Sequence, residues 1–455
     1  MVASLIRFSI KHTGVIIGLA FIVVAYGIYQ IKNSPLNVFP EFSPTQVIIQ
    51  TESPGYSSSL VEKLISKPIE QAISGTIGIK QIRSQSIPGL SVITIIFDEG
   101  TDIHKNRQAI SEKFTSLKSI LPKNVTPNIT PLTSSASSVL GIGITSKVKN
   151  LTELRTIAEN VIIPHLMAVP GVADVNRFGG LLKQIQIEII PDKLFFHNVK
   201  ISDIAKAAQK STGVSGAGFI ENKNQRIIIN TQGQSKTIKE LELTPVINEK
   251  GNKVRIKDVA NVKIGSMPSI SSASINGEKG VYLSVQGQLN SDTYKLTKQI
   301  ELALDSLKPI FTKEKIELYP DLFKPANFID ASIKGLRIDI AFGSLMIISI
   351  LFLFLYNFKT AFISAIAIPL SLLSAIIVMS YFNLGLNVMV LSGLAIALGE
   401  VVDDAIIDVE NILRRLKQNK KLTTPKPLRH VVFEASMEVR KSVIFATIII
   451  VLVFL

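Results

Sequence analysis

The forty residues from Thr360 to Gly399 contain no Asp, Glu, Lys or Arg, and no other feature restricts the fold of this chain so strongly. One helix needs about 20 apolar residues to cross a bilayer core, so this run is twice the length of one span. "NLGLN" (Asn383–Asn387) lies past its middle, and a glycine between two asparagines is a turn signal. The run therefore reads as a helical hairpin with spans over 360–382 and 388–411. Three further uncharged runs, His12–Ile31, Ile340–Phe358 and the shorter Ser442–Leu455, predict spans over 1–32, 333–358 and 442–455. Arg7 and Lys11 before the first run would suit a secretory signal. The run leaves as "YQIKNSP", however, with no small-x-small cleavage site, so an uncleaved helix is expected. With 47% hydrophobic and 18% charged residues, the chain is too apolar for an ordinary soluble protein and too charged to lie wholly in lipid. An α-helical transmembrane bundle carrying one large soluble portion satisfies both limits.

Lys and Arg placement orients the bundle. Arg7 and Lys11 precede the first span, Lys359 separates the second from the third, and nine basic residues lie between Arg414 and Lys441 in an expected basic loop over 412–441. All three positions fall on one side, the cytoplasm. The net charge of +14 is thus topogenic and answers to membrane lipid, with no nucleic-acid partner expected. Residues 33–332 then lie outside, in a periplasm. The chain has no Cys, which removes disulfides, thiolate metal sites and thiol nucleophiles.

Short strands and helices alternate in the outside portion. "QVIIQT", an apolar helical stretch over Leu60–Ile73, the strands "KQIRSQSI" and "SVITIIFDEG", and a helix over Asp102–Leu121 give the order β-α-β-β-α of a split-βαβ, ferredoxin-like unit over 33–133. A second cycle starts at Val139, is interrupted by an insertion over 181–267, and resumes with "GVYLSVQGQ", a helix over Asp292–Leu307 and "KIELYP". It occupies 134–180 and 268–332, and the two cycles read as an internal duplication.

The chemistry sits where the fourth span ends. "GEVVDDAIIDVEN" (Gly399–Asn411) places five carboxylates directly after the uncharged run. On a helix Asp403 and Asp404 straddle one face, and Glu400 and Asp408, four residues either side of Asp404, join it. With Arg414 as the cytoplasmic anchor, Asp404 lies about 15 Å inside, near mid-bilayer. Each such carboxylate costs on the order of 2.5–3.5 kcal/mol to insert. Two neighbours rarely both ionise, so at least one is expected to release its proton less readily than an ordinary carboxylate. No Lys or Arg lies inside any uncharged run, and Arg337 and Lys441 stand at helix ends, so a cation for the pair is expected from outside this chain. These features describe a proton relay at Asp403 and Asp404, with Glu400 and Asp408 as further stops or tuning groups. Glu410 is expected to pair with Arg414 four residues on. The histidines are scattered, and Met167 and Met267, the methionines of the outside portion, are far apart, so no metal cage is visible. No nucleophile motif, phosphate loop or dinucleotide fingerprint occurs, and neither an enzyme nor a cofactor is expected.

At this point the residues resemble a family. "LNVFPEFSPTQVIIQTESPGYSSSLVEKLISKPIEQAISGTIGIKQIRSQSIPGLSVITIIFDEGTD" (36–102), "GVADVNRFGGLLKQIQIEIIPDKL" (171–194), "IPLSLLSA" (368–375) and "LAIALGEVVDDAIIDVEN" (394–411) are similar, in order, to segments of resistance–nodulation–division (RND) efflux transporters, with most in common with the heavy-metal branch. The resemblance implies an inner-membrane secondary transporter driven by proton entry, with Asp403 and Asp404 as the proton carriers. It implies porter subdomains that bind cargo and an inserted docking subdomain. It also implies a homotrimer, a periplasmic adaptor and an outer-membrane channel. The paired Asp is more like the drug-efflux branch, and Glu400 matches neither pattern, so metal ions and small organic compounds both stand as cargo. Family members are about twice as long, which makes this chain an expected N-terminal half whose missing cation comes from the C-terminal half. A SecD-like protein-export motor and an inactive membrane-anchored remnant are the competing readings.

Overall fold

The computed structural model describes residues 2–454 apart from 41–42, 118–119, 123–124, 214–218, 222–224, 229–234, 236, 248–252, 270, 356–357 and 383. The segment expected as the first span is two helices, α1 (Val2–Lys11) and α2 (Thr13–Asn33), because the backbone leaves the helical region at His12, with φ −118° and ψ 52°. The two-residue strand β1 (Leu36–Asn37) follows.

Two four-stranded sheets come next. The first contains β2 (Gln46–Glu52), the helical run 58–73 (α3), β3 (Ile79–Ile87), β4 (Leu90–Phe97), α4 (Ile103–Leu117) and β5 (Pro127–Ile129). Its order is β3-β4-β2-β5, with every neighbouring pair antiparallel. Along β4 every second residue is buried, the alternation that a sheet with one covered face requires. Ile93, Ile95 and Phe97 point to that face, where Val61, Ile65, Ile69 and Ile73 meet them at the four-residue spacing of a helical stripe.

The second sheet contains β6 (Thr133–Thr145), the helical run 151–167 (α5), β7 (Val172–Gly179), β10 (Val281–Gln288), α8 (Thr293–Ser306) and β11 (Glu317–Phe323), in the order β11-β6-β10-β7. Numbered within its own unit, each sheet reads 4-1-3-2. The likeness extends to a detail. The first helix of each unit widens into a π turn, Glu62–Ser66 in one and Ala158–Ile162 in the other. Pro68 and Pro164 follow at the start of the next α segment. Proline lacks the N–H for an i−4 bond and crowds that carbonyl, and a wider turn just before it relieves the clash.

Between β7 and β10 lies the insertion. Its ends close on each other as β8 (Lys183–Ile189) pairs antiparallel with β9 (Ala260–Ser266), Lys183 opposite Ser266. Helices α6 (Pro191–His197) and α7 (Ile201–Thr212) belong to it. It has its own small core around Ile204, Leu241, Val246, Ile256 and Val259.

Four long helices complete the chain: α9 (Ala326–Leu355), α10 (Phe358–Tyr381), α11 (Val388–Asn419) and α12 (Leu428–Phe454). Among the described residues, Thr13–Asn33 and Phe362–Tyr381 are long and apolar enough to cross a membrane. These two pack together at Gly27, where a Cβ would fall 2.8 Å from Leu373 Cβ, so glycine is what permits the contact. The turn before α11 includes β12 (Leu386–Asn387), which pairs in parallel with β1; Asn383 of the expected "NLGLN" turn lies outside the described residues.

The expected basic loop over 412–441 is corrected by the structure. α11 runs on to Asn419 and α12 begins at Leu428, leaving only 420–427 as the link. The segments on both sides are rich in good helix formers, and the break comes at "TTPKP", which cannot continue a helix. Asn419 closes the turn, donating to the Lys426 carbonyl and accepting the Lys426 N–H, both at 2.9 Å.

Candidate functional site

The carboxylates lie along α11, a helix of 32 residues and so about 48 Å long. Its start is fixed by Asn387, whose Oδ1 accepts the Val390 N–H at 2.9 Å as an N-cap. Glu400, Asp403, Asp404, Asp408 and Glu410 all fall on its helical backbone. The side chains of Glu400 and Asp403 lie outside the described set; Asp404 is half-buried.

Asp408 is where the structure departs from the sequence reading. Its Oδ2 accepts from Ser436 Oγ at 3.3 Å and stands 3.5 Å from the Arg440 guanidinium, both on α12. Its Oδ1 is buried and has no hydrogen-bond partner among the described residues. A basic residue assigned to a loop thus faces an intrahelical acid. The same contact defines a seam. Asp404, Asp408, Asn411 and Arg415 follow at i, i+4, i+7 and i+11, one face of a helix. Asn411 is buried and donates to the Ala435 carbonyl at 2.8 Å. Arg415 grips Glu438 with both nitrogens, Nε to Oε2 at 2.9 Å and Nη2 to Oε1 at 2.6 Å. That fork holds the Glu438 carboxyl below its ordinary range and the Arg415 guanidinium above its own. The expected Glu410–Arg414 pair does not form. Arg414 donates instead to Asn411 Oδ1 at 2.7 Å, completing the seam, and Glu410 is exposed.

A second surface went unread in the sequence. The outer face of the second sheet is polar and aromatic, with Tyr282 opposite Phe178, Ser284 opposite Asn176 and Gln286 opposite Asp174. Ser137 donates to Gln286, and Ser138 meets Ser284 at 3.1 Å. Tyr282 lies across Gly141, where any Cβ would collide with its hydroxyl. The alternation in "VYLSVQGQ" was the available signal, since its odd positions fill the core and its even ones make this face. Among the described residues no three of His, Cys, Asp and Glu gather as a metal site. Met167 is exposed on α5, whereas Met267 follows β9 at the end of the insertion.

A profile of the AcrB/AcrD/AcrF family matches residues 5–455. The chain belongs to that family. The resemblance to RND transporters therefore holds, and heavy-metal efflux proteins are among its relatives. It is 31% identical to protein HelA of Legionella pneumophila and 28% identical to the cobalt-zinc-cadmium resistance protein CzcA of Cupriavidus metallidurans. Both alignments cover 100% of this chain and 44% of the relative. A crystal structure of a heavy metal efflux pump superposes with a TM-score of 0.82 at 26% identity, over 98% of this chain and 43% of the pump. The chain spans less than half the length of the curated relatives it matches.

Proposed function

We propose that this chain forms the first half of an inner-membrane, multi-pass RND transporter that exports metal ions or small organic compounds in exchange for protons. The observation that carries this reading is α11, a helix whose first dozen residues are uncharged and which then presents acids along one face, within a chain of the AcrB/AcrD/AcrF family. In this reading the spans lie within α2, α9, α10, α11 and α12, the last two crossing over 388–411 and 442–455, so that Arg415 and Glu438 stand outside them. The two 4-1-3-2 sheets are ferredoxin-like porter subdomains, and the β8–β9 insertion is the docking subdomain. The outer face of the second sheet meets cargo. Its oxygen donors suit hard cations and its rings suit organic molecules, so both cargo classes are carried forward. The partners are the C-terminal half, two further copies in a homotrimer, a periplasmic adaptor and an outer-membrane channel. The protein is a secondary transporter, not an enzyme, and the names of the matched relatives support efflux over a protein-export motor or an inactive anchor.

Asp403 and Asp404 take up and release the proton. A carboxylate in an apolar helix layer gains by neutralisation, and two adjacent ones hold one proton more tightly than either would alone. Proton binding removes charge from the layer, and its loss restores an anion that must find a cation, so each event changes which neighbours α11 favours. Asp408 acts differently. Arg440 stands 3.5 Å from its Oδ2 and Ser436 donates to the same oxygen, so in this reading Asp408 ties α11 to α12 and tunes the pair above it.

The test uses the permease completed with the remaining length of its relatives, in energised membrane vesicles, with zinc, cobalt and ethidium as cargo probes. Asp403→Asn and Asp404→Asn are expected to abolish export while leaving trimer assembly and cargo binding intact, because Asn keeps the shape and cannot titrate. Glu410→Gln is expected to be mild, and Glu400→Gln reads whether that acid is a stop or a tuner. Full export in both Asp variants would overturn the relay.

A further inference from the structure

The outer end of α11 is tied to the second sheet by an unbroken set of hydrogen bonds that no covalent connection requires. Asn37 is at its centre. Its Oδ1 accepts the Thr293 N–H at 3.2 Å and the Thr293 hydroxyl at 2.8 Å, so the first residue of α8 hangs from it. Thr293 is 7% exposed, and without Asn37 two buried donors would be left unmatched. On its backbone side Asn37 pairs in parallel with Asn387, Leu36 pairs with Leu386, and Val388 donates to the Val38 carbonyl at 3.3 Å. Asn387, only 4% exposed, then caps α11.

Both ends of this set reach something that matters. α8 is part of the second unit's core through Leu296, Ile300 and Leu304, and Thr297 Oγ1 reaches the Val139 carbonyl of β6 at 3.4 Å. From Asn387, α11 runs uninterrupted to Asp404, about 25 Å along a stiff helix. The β1–β12 bridge belongs to no larger sheet. Two paired residues add little to stability by themselves, but they fix the position of the cap against the porter. The second unit also meets the membrane helices covalently, where β11 leads into α9. Asn37 and Asn387 supply its separate attachment to the helix that holds the acids.

We infer that Asn37, seated on the β1–β12 bridge, is a positioning residue that makes α11 and α8 move as one body, so that a proton-driven displacement of α11 is delivered to the second sheet. This rests on the transport reading above. Contiguity is not itself coupling, so the decisive readout is cargo exported per proton admitted.

The chain has no cysteine, so a Leu36→Cys/Leu386→Cys pair can form only one disulfide within it. In membranes bearing this chain, mild oxidant is expected to join the pair, seen as a mobility shift that reductant reverses; absence of the cross-link would overturn the joint. In the completed permease, reconstituted with an internal pH dye and zinc or ethidium as probe, the cross-linked protein is expected to keep its export, because the joint never opens. Export lost on oxidation and regained on reduction would overturn the inference. Asn37→Ala is expected to cut export per proton at least about five-fold with proton entry continuing, since both Thr293 donors lose their acceptor. Asn37→Asp, which keeps the acceptor, should restore most of it. An unchanged ratio in Asn37→Ala would sink the inference. Should that variant fail to fold, Thr293→Val removes only the hydroxyl donor and must lower the ratio in the same direction. The two levels separate cleanly. Full export in the Asp403 and Asp404 variants sinks the transport reading, whereas a dead Asp404→Asn beside a normally coupled Asn37→Ala sinks only the joint.

Discussion

The porter-like sheets and the α11–α12 pair are built with opposite polarity. In the sheet units and the insertion Ile, Val and Leu fill the interior and charges sit at the rim, as in the exposed pairs Lys67–Glu62 and Lys263–Glu188. In the helix pair Ile396, Phe445 and Ile449 face outward, and Asp408, Asn411, Ser436 and Glu438 lie along the seam between the helices. The same residue types therefore carry different energies. An exposed ion pair is worth about 0–1 kcal/mol, since water screens it and two long side chains must be held still. A polar group removed from a seam leaves its partner with no water to turn to. Effects of substitution should accordingly rank by which side of this inversion a residue occupies.

The largest effect on stability is expected from the sheet interior. Ile144 is fully buried on β6 among residues of both strands and helices, and Ile144→Ala should cost about 2–5 kcal/mol, the transfer term plus the cavity left behind. Ile95→Ala, equally buried in the first unit, should cost a similar amount, while Lys263→Ala at the rim should fall within about 0.5 kcal/mol. Urea unfolding of the chain, followed by a probe in each unit, measures all three. A rim variant as damaging as either isoleucine variant would break the comparison.

How much of this was legible in the sequence follows from the same inversion. Both sheet units were readable because a half-covered sheet imposes alternation, and "LSVITIIF" has it. The π turns were not read, although Pro68 and Pro164 inside apolar helical stretches were a signal for them. The acids were found because charge next to a long apolar run is conspicuous. Their surroundings are not legible, because nine basic residues between Arg414 and Lys441 suggest a loop. Charge marks the cytoplasmic side but says nothing against a helix, and Arg440 came to face Asp408 once α12 was seen to start at Leu428. The β1–β12 bridge left no pattern at all, since two residues cannot show a period and their partners are distant in sequence. The stretch Asn383–Asn387 reads as a turn, and that Asn387 caps α11 is seen only in the structure.

An intermediate effect is expected from the seam itself. Asp408 and Arg440 are partly exposed, at 26% and 36% of their side chains, so the full penalty of a buried broken pair does not apply. Arg440→Gln should destabilise the helix pair by about 1–2 kcal/mol, because among the described residues Asp408 then keeps only Ser436 and one of its oxygens is already unmatched. The double variant Arg440→Gln/Asp408→Asn should recover most of the loss, since no charge is then left alone. Thermal unfolding of the purified chain in detergent gives the cycle. A double variant no better than the single one would mean that the seam is not organised by this charge.

The smallest expected effect lies at the far end of the seam, where Arg415 and Glu438 are exposed and the two polarities meet. Glu438 is held by the Arg415 fork, with Asn411 donating to the same carboxylate and the Arg414 charge nearby. Its carboxyl therefore releases its proton more readily in the folded chain than in the unfolded one. A carboxylate lowered in this way contributes stability that is complete above its unfolded value, about 4.3 for glutamate. That contribution fades as pH falls through the folded value, because protonation then favours the unfolded chain. Arg415, raised by the same contact, remains charged throughout and adds no slope in acid. Glu438→Gln should therefore leave stability at neutral pH only slightly lower and should flatten the loss seen below about pH 4.3. Melting curves of the two proteins across pH 3–7 in detergent provide the measurement. Parallel curves down to the acid end would show that the fork, though short, behaves as an ordinary surface pair and that the seam's inverted polarity stops at Asn411.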